Sequence, residues 1–367
     1  MNSLFVDLMK KLANDTVVIY GFVVGDRGDA LLAVLRKNGV YPTYFADTFR
    51  YGEQISGKIV LSPSQLLKLD NNEKVSVIIT SARAHEIYRS LIENGLSGNI
   101  FVFYNHYLDD DWNILNDVEV HELIDKTKKI NNELSDETSK IILGYLVDNK
   151  INYSADGLIK AFDMSVTSTG ERQYFSKEAI NCIAKRKDAV FVDCGAYDGD
   201  TVQCIYDLGI QFKRIYCFEP DSHNVLRLKD RVLHLEMEEY VYIVESGVWS
   251  ETCNLYINET GNDSSMITTD NSGTKVHVVS IDDYFINLKI DMIKMDIEGC
   301  EMDALTGAMK TIYRDRPILA ICIYHKFYDL TEIPLFLMDR LKSLRYEFMI
   351  RHYSGATETV LYCLPID

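Results

Sequence analysis

The chain has 367 residues, more than one ordinary domain holds, and its length points to about two. Hydrophobic residues make up 47% and charged residues 25%, a globular balance that excludes a mainly disordered chain. The net charge of −17 (38 basic, 55 acidic), with no Lys/Arg cluster, argues against nucleic acid or an anionic membrane as partner.

No apolar run approaches the ~18 residues that a spanning helix needs. The opening MNSLFVDLMKKLANDT lacks a signal-peptide core and reads as a short amphipathic helix on the first domain. From there the apolar run 16–24 (TVVIYGFVV) meets turn residues Gly25, Asp26 and Gly28, and a helical pattern at 30–39 stops at Gly39. Strand-like runs follow at 42–48, 75–81 and 99–103, with a helix through 85–95. Apolar strands alternating with helices predict a parallel sheet with crossovers. We therefore expect a smaller Rossmann-like α/β domain over residues 1–104.

Residues 105–174 read as a mainly helical connector, with an acidic turn DDDW at 109–112 and helices in VEVHELIDKTKKINNEL and DETSKIILGYLVDN. A second α/β pattern fills 175–367. Its strands are AVFVDCG (189–195), RIYCFEP (214–220), VYIVESGV (241–248), DMIKMDIEG (291–299) and ILAICIYH (318–325). Helices are expected from near Thr201, over 222–238, in EMDALTGAMKTI and in IPLFLMDRLKSL. CNLYIN and KVHVVSID predict an antiparallel excursion around the loop 261–273, and YEFMIRHY with ETVLYCLP a closing antiparallel pair. The eight cysteines all lie in the second half and form no CxxC pair, which excludes a zinc ribbon and fits reduced thiols in a cytoplasmic protein.

Three segments carry the chemistry. In VDCGAYDGDT (192–201) a strand ends, a glycine loop turns and a helix begins, so a ligand can approach the backbone at Gly195 and Gly199. The glycines are spaced GxxxG rather than GxGxxG, and Asp193, Asp198 and Asp200 surround the loop. A pyrophosphate would face three carboxylates there, whereas the ammonium and sulfonium of S-adenosyl-L-methionine (SAM) suit that field. Glu219 ends the second strand, 24 residues after Gly195, where a carboxylate can accept from both ribose hydroxyls of SAM or NAD alike. Asp296 lies at the carboxyl end of the fourth strand. If that strand neighbours the first, Asp296 faces the 193–199 loop across the switch in strand order. Glu298 and Glu301 follow, with Gly299 permitting a turn; Glu301 can equally serve as a helix-start acid.

VFVDCGAYDGDT, CFEPD, IDDYF, IDMIKMDIEGCEMDALTGA and the tail RHY…ETVLY together resemble the FkbM family of SAM-dependent methyltransferases, over about residues 175–365. The resemblance implies the class I methyltransferase fold, a seven-stranded sheet with an antiparallel last hairpin. It also implies O-methyl transfer, often to sugars or secondary metabolites. By position, Asp193, Gly195, Ala196, Tyr197, Gly199 and Thr201 would hold the methionine part, Glu219 the ribose, Gly247 and Val248 the adenine, and Asp296 would sit near the methyl group. The first unit resembles the Rossmann-like domain fused to bacterial polysaccharide-modifying enzymes. Its loop GFVVGDRG is longer than a GxGxxG turn, which favours a structural or acceptor-recognition role over a second nucleotide site.

An alcohol acceptor needs a base as its bond to carbon forms. Asp296 and His325, which follows the fifth strand, are the catalytic candidates. Glu298, Arg351 and His352 are candidate acceptor contacts, and Tyr153, Tyr174 and Phe175 can reach the acceptor side. Asp296, Glu298 and His325 could ligate a divalent ion, but the resemblance does not require one and no metal is expected. The leading expectation is a SAM-dependent O-methyltransferase of a sugar or glycan precursor. The alternatives are a methyltransferase of a small metabolite or lipid-linked group, a catalytically silent binding protein, and a nicotinamide oxidoreductase. Oligomeric state and acceptor identity carry no sequence signal.

Overall fold

Apolar strand runs alternating with amphipathic helices build two mainly parallel sheets, with a third, four-stranded one, in the computed structural model, which describes residues 2–22, 26–71, 74–103, 114–258, 266–268 and 273–366. Val23–Gly25 of the first turn, the DDDW segment, and 261–265 with 269–272 of the later loop lie outside the described residues. The chain divides into two units. One comprises Met1–Asn132, Asp136–Gly170 and Ile350–Thr359; the other Glu133–Ser135, Glu171–Met349 and Val360–Asp367. No helix among the described residues is long and apolar enough to cross a membrane.

In the first unit, α1 (Ser3–Ala13) buries Phe5, Met9 and Leu12, one face of a 3.6-residue period, and the Asn2 side chain caps it by accepting from the Phe5 N–H at 2.7 Å. There follow β1 (Thr16–Tyr20), α2 (Asp26–Lys37), β2 (Tyr44–Ala46), β3 (Gln54–Ile55), β4 (Lys58–Leu61), α3 (Pro63–Asp70), β5 (Val75–Ile79), α4 (Ala84–Glu93) and β6 (Asn99–Val102). The sheet order is β3-β4-β2-β1-β5-β6, parallel except for the β3–β4 hairpin. That hairpin escapes sequence reading because it is short and buries only Ile55 and Val60. Both join Val17, Ile19, Leu35, Phe45 and Ile78 in the core of this unit. The helical segment contains α5 (Asp117–Glu133) and α6 (Glu137–Asn152), and extends beyond them through α7 (Ala155–Phe162) into a π-helical turn at Asp163–Thr167. Tyr153 stacks on Phe103 within this unit.

The second unit opens with α8 (Lys177–Ala184), β7 (Val190–Cys194), α9 (Asp200–Leu208), β8 (Arg214–Phe218), α10 (Ser222–His234) and β9 (Val241–Val244). A four-stranded excursion follows, β10 (Gly247–Val248), β11 (Cys253–Asn258), β12 (Met266–Thr268) and β13 (Thr274–Val279), in the order β10-β13-β11-β12. The run 241–248, expected as one strand, is thus divided: the Ser246 N–H turns back to the Val244 carbonyl at 2.8 Å, and β10 pairs with β13 instead. The chain continues through α11 (Ile281–Tyr284), β14 (Met292–Met295), α12 (Glu301–Thr306), α13 (Met309–Asp315), β15 (Ile318–Cys322), α14 (Asp329–Leu341), β16 (Tyr346–His352) and β17 (Thr359–Pro365). One helix was expected where α12 and α13 stand. It breaks at Gly307, whose carbonyl accepts from the Asp282 N–H at 2.9 Å.

The main sheet of this unit runs β16-β17-β15-β14-β7-β8-β9. Its strands are parallel from β15 to β9, and β17 is antiparallel to β15. Strands β7, β14 and β15 are buried at every position, which is why they read as unbroken apolar runs. From β7 the chain moves outward to β8 and β9, then returns to β14 on the other flank. The switch in strand order therefore falls between β7 and β14, with Asp193 opposite Lys294 and Cys194 opposite Met295.

Gly195 follows β7 at φ 79°, and a Cβ there would drive into the Asp296 backbone carbonyl. Gly195→Ala should lower stability by at least about 1–3 kcal/mol from the left-handed backbone alone, with the clash added. Urea denaturation checks this; an unchanged midpoint and slope would refute it.

Candidate active site

The carboxyl ends of β7, β8, β14 and β15 present most of the polar residues singled out above. Their arrangement begins with a buried ion pair. Lys294 sits in the middle of β14, 2% exposed, with its Nζ 2.9 Å from Asp193 Oδ1 and donating to the Gly195 carbonyl at 2.5 Å. Its ammonium also lies 5.1 Å from the centre of the Tyr174 ring. Burial pushes the Asp193 carboxyl up to about 6, with Lys294 pulling the other way. Burial would lower the Lys294 ammonium, but Asp193 and Asp296 hold it above the ordinary lysine range.

The loop from Gly195 to Gly199 takes three left-handed residues, Gly195, Tyr197 and Gly199. The Gly195 and Ala196 N–H groups both donate to the Phe218 carbonyl at 3.0 Å, tying the loop to β8. The Tyr197 N–H donates to Glu219 Oε2 at 2.9 Å, and the Arg227 guanidinium lies over the Tyr197 ring at 5.3 Å. Glu219 Oε1 accepts from the Asp221 N–H at 2.9 Å and from Asn224 Nδ2 at 3.3 Å. Glu219 is buried, which raises its carboxyl to about 7 against these donors. Gly199 caps α9 at φ 87°, and Thr201 is buried in the first turn of that helix.

The loop is less negative than its sequence suggests. Asp193 is matched by Lys294, and Asp198 Oδ2 accepts from Arg231 at 2.7 Å. Field strength at the loop alone therefore does not select a cationic ligand.

A second cluster forms around Asp296. Its Oδ2 accepts from the Tyr174 hydroxyl at 2.5 Å and its Oδ1 from the Tyr324 hydroxyl at 3.2 Å. His325 Nε2 lies 3.1 Å from Asp296 Oδ1 and 3.6 Å from Glu298 Oε1, and its Nδ1 lies 2.9 Å from Glu301 Oε1. The Ile297 N–H donates to Glu301 Oε1 at 2.9 Å, fixing that carboxylate. Glu298 and Gly299 both adopt positive φ, 52° and 86°, turning the chain between Asp296 and Glu301. Burial would lower the His325 imidazole, but Glu301, Asp296 and Glu298 raise it well above its ordinary value. Burial would raise Asp296, but His325, Lys294 and Tyr174 hold it low. Burial raises Glu298.

Gly247 and Val248 are buried in β10, opposite Val278 and Val279 of β13. Arg351 and His352 group with the first unit, and their side chains are engaged there. Arg351 reaches Asp136 at 3.4 Å and Ser139 Oγ at 2.8 Å. His352 Nδ1 lies 2.9 Å from Thr359 Oγ1, and burial lowers its imidazole to about 3. Phe175 packs on Phe191 of β7. All eight cysteines are free thiols; burial pushes Cys300 up to about 12 and also raises Cys194, Cys204, Cys217, Cys253 and Cys363, the reverse of an activated nucleophile.

Two residues escaped the sequence reading. Lys294 carried a signal, a cation inside the apolar run MIKM that demands a buried partner. Tyr324 carried none beyond its place beside His325.

Residues 193–348 match the family described as the methyltransferase FkbM domain. A methyltransferase FkbM from Methylobacillus flagellatus KT, 20% identical, matches 99% of this chain and 94% of its own with a TM-score of 0.67, so the two share a fold. An rRNA methylase from Streptococcus thermophilus matches 54% of this chain and 98% of its own, at 16% identity and a TM-score of 0.36. A putative methyltransferase from Streptococcus mutans, in complex with SAH, matches 50% and 94% at 11% identity and a TM-score of 0.32. No curated protein matches the sequence. The second unit thus has the class I methyltransferase architecture, with the FkbM match starting at Asp193 of the ion pair.

Lys294→Met would leave Asp193 buried without its cation. Removing one partner of such a pair costs about 3–5 kcal/mol, so the variant should unfold at much lower urea. Wild-type stability in this variant would show that the pair carries no structural weight.

Proposed function

We propose that the chain is a SAM-dependent O-methyltransferase that methylates a hydroxyl of a sugar or glycan precursor. The FkbM match supports methyl transfer. The observation that carries the cofactor reading is Glu219. Its buried carboxylate accepts from the Tyr197 N–H of the glycine loop, beside the β7–β14 switch. That is where an adenosine ribose would meet it. In this reading Asp193, Gly195, Ala196, Tyr197, Gly199 and Thr201 hold the methionine part and Gly247 and Val248 line the adenine side. Arg351 and His352 serve the acceptor side indirectly, by bracing the chain around them.

Methyl transfer from a sulfonium is an in-line displacement with a good leaving group. The main task is alignment, worth up to about 7–11 kcal/mol for well-held reactants. The acceptor oxygen must also lose its proton. The side chains of Asp296 and Glu298 are 20% and 22% exposed, whereas that of His325 is 4% exposed. An acceptor hydroxyl therefore meets the carboxylates first, and we place Asp296 in contact as the base, with His325, which its carboxylates keep protonated, holding it in place. The oxygen then takes the methyl carbon as the C–S bond breaks, and S-adenosylhomocysteine leaves. The glycan acceptor rests on the first unit's resemblance to domains fused to polysaccharide-modifying enzymes. We place the reaction in the cytoplasm.

Two outcomes follow. Asp296→Asn should lose roughly 10²–10⁴-fold in kcat/KM. Turnover of sugar nucleotides, free glycans and small metabolites with labelled SAM identifies the acceptor, and full activity of the variant removes Asp296 from the role. The second concerns pH. A protonated Glu219 cannot accept from both ribose hydroxyls, so binding must expel its proton below about pH 7. S-adenosylhomocysteine affinity should strengthen as pH rises from 6 to 8, approaching about tenfold per unit on the acid side. Calorimetry across pH should show this slope and its loss in Glu219→Gln; a flat wild-type profile, or no binding at all, refutes the ribose assignment.

A further inference from the structure

We propose that Asp296, Glu298 and His325 form a binding site for one divalent cation, of the Mn²⁺ or Zn²⁺ kind, at the carboxyl end of β14. One atom from each, two carboxylate oxygens and an imidazole nitrogen, lie within 4.8 Å of one another. Ligand atoms about 2.1 Å from a cation stand about 3.0 Å apart at right angles and about 3.4 Å apart in a tetrahedron. His325 Nε2 stands 3.1 Å from Asp296 Oδ1 and 3.6 Å from Glu298 Oε1, the spacing of shared ligation.

The imidazole supplies the independent observation. His325 is 3% exposed, and neither of its ring nitrogens makes a hydrogen bond of good geometry, although Nε2 faces Asp296 and Glu298 and Nδ1 faces Glu301. A buried polar atom aimed into such a space without a hydrogen bond calls for a ligand. The other ring nitrogen lies 2.9 Å from Glu301 Oε1, itself held by the Ile297 N–H. A carboxylate behind the distal nitrogen of a histidine fixes the ring, and a cation at the near nitrogen takes the place of the ring's second proton. Tyr174 and Tyr324 fix Asp296 in the same way.

Charge agrees with geometry. Asp296, Glu298 and Glu301 bring three formal negative charges around one imidazole, and a divalent cation offsets two of them. The mixed oxygen and nitrogen donors suit Mn²⁺ or Zn²⁺ better than Ca²⁺. The carboxylate side is partly exposed while the histidine side is closed, so the cation's remaining positions face solvent. A hydroxyl bound there would become more acidic, so that with the cation present the ion activates the acceptor and Asp296 serves as ligand in place of base, a consequence that rests on the methyl-transfer reading while the site itself does not.

The test is a titration of the full chain with Mn²⁺, without cofactor or acceptor, followed by the loss of the free-ion electron paramagnetic resonance signal. One Mn²⁺ per chain is expected, displaced by Zn²⁺. Glu298→Gln and His325→Gln should each abolish or weaken it, and Glu301→Gln should weaken it about 10–100-fold. Circular dichroism confirms the fold of each variant, and S-adenosylhomocysteine calorimetry on the same samples reports the cofactor reading separately. No stoichiometric binding by the wild type, or equal affinity in folded Glu298→Gln and His325→Gln, overturns the site. Because Glu298 is the most exposed of the ligands, its variant remains informative if the histidine variant fails to fold.

Discussion

The buried pair between Lys294 and Asp193 is the contact on which the second unit's chemistry depends. The two residues face each other because β7 and β14 are register partners at the point where strand order reverses. Neither can turn to water, so each is committed to the other. The same ammonium donates to the Gly195 carbonyl, and Gly195 lies against the Asp296 backbone with no room for a side chain. One lysine therefore joins the strand, the glycine loop and the start of the carboxylate cluster. Preorganisation here is covalent spacing plus one desolvated charge, rather than many weak surface contacts.

Holding charge in a sheet interior is destabilising unless partners are supplied. The protein meets that cost in stages from inside outward. Asp193 and Lys294 neutralise each other at the sheet's centre. Asp296 is held by two tyrosine hydroxyls and by His325. Glu219 is held by main-chain N–H groups and Asn224, yet remains pushed up to about 7. That gradient separates roles. The inner pair is matched within the sheet, whereas Glu219 is buried with its carboxyl pushed up and Asp296 and Glu298 are partly exposed. A ligand that supplies hydroxyl donors to Glu219, or a cation to the Asp296 cluster, relieves an electrostatic imbalance that the fold itself maintains.

The architecture was legible because the two mainly parallel sheets are built on unbroken apolar runs, a signal that survives without tertiary information. AVFVDCG, DMIKMDIEG and ILAICIYH each contain a fully buried strand, at Val190–Cys194, Met292–Met295 and Ile318–Cys322, and the expected adjacency of the first and fourth put Asp296 beside the glycine loop. Short elements were not legible. The β3–β4 hairpin has too few residues for periodicity, and 241–248 hides a change of sheet because Ser246 and Gly247 alter direction without breaking hydrophobicity. Charge was legible only in part. Asp198 reads as a loop acid until Arg231, 33 residues later, is brought onto it. His325 reads as a candidate base, but only folding shows that Glu301 stands behind it and changes which proton state the ring favours.

Tyr174 shows how far the functional unit reaches beyond the matched family residues. It lies 19 positions before Asp193, at a left-handed φ of 68°. Its hydroxyl donates to Asp296 while its ring takes the Lys294 ammonium on one face. One side chain thus touches both halves of the polar core: the lysine that organises the glycine loop and the aspartate at the centre of the carboxylate cluster. A β-branched or aliphatic residue there would fill similar space but withdraw a donor from Asp296 and a quadrupole from Lys294 together. The segment before β7 is therefore part of the polar core's electrostatics, which begins at this tyrosine rather than at the first strand.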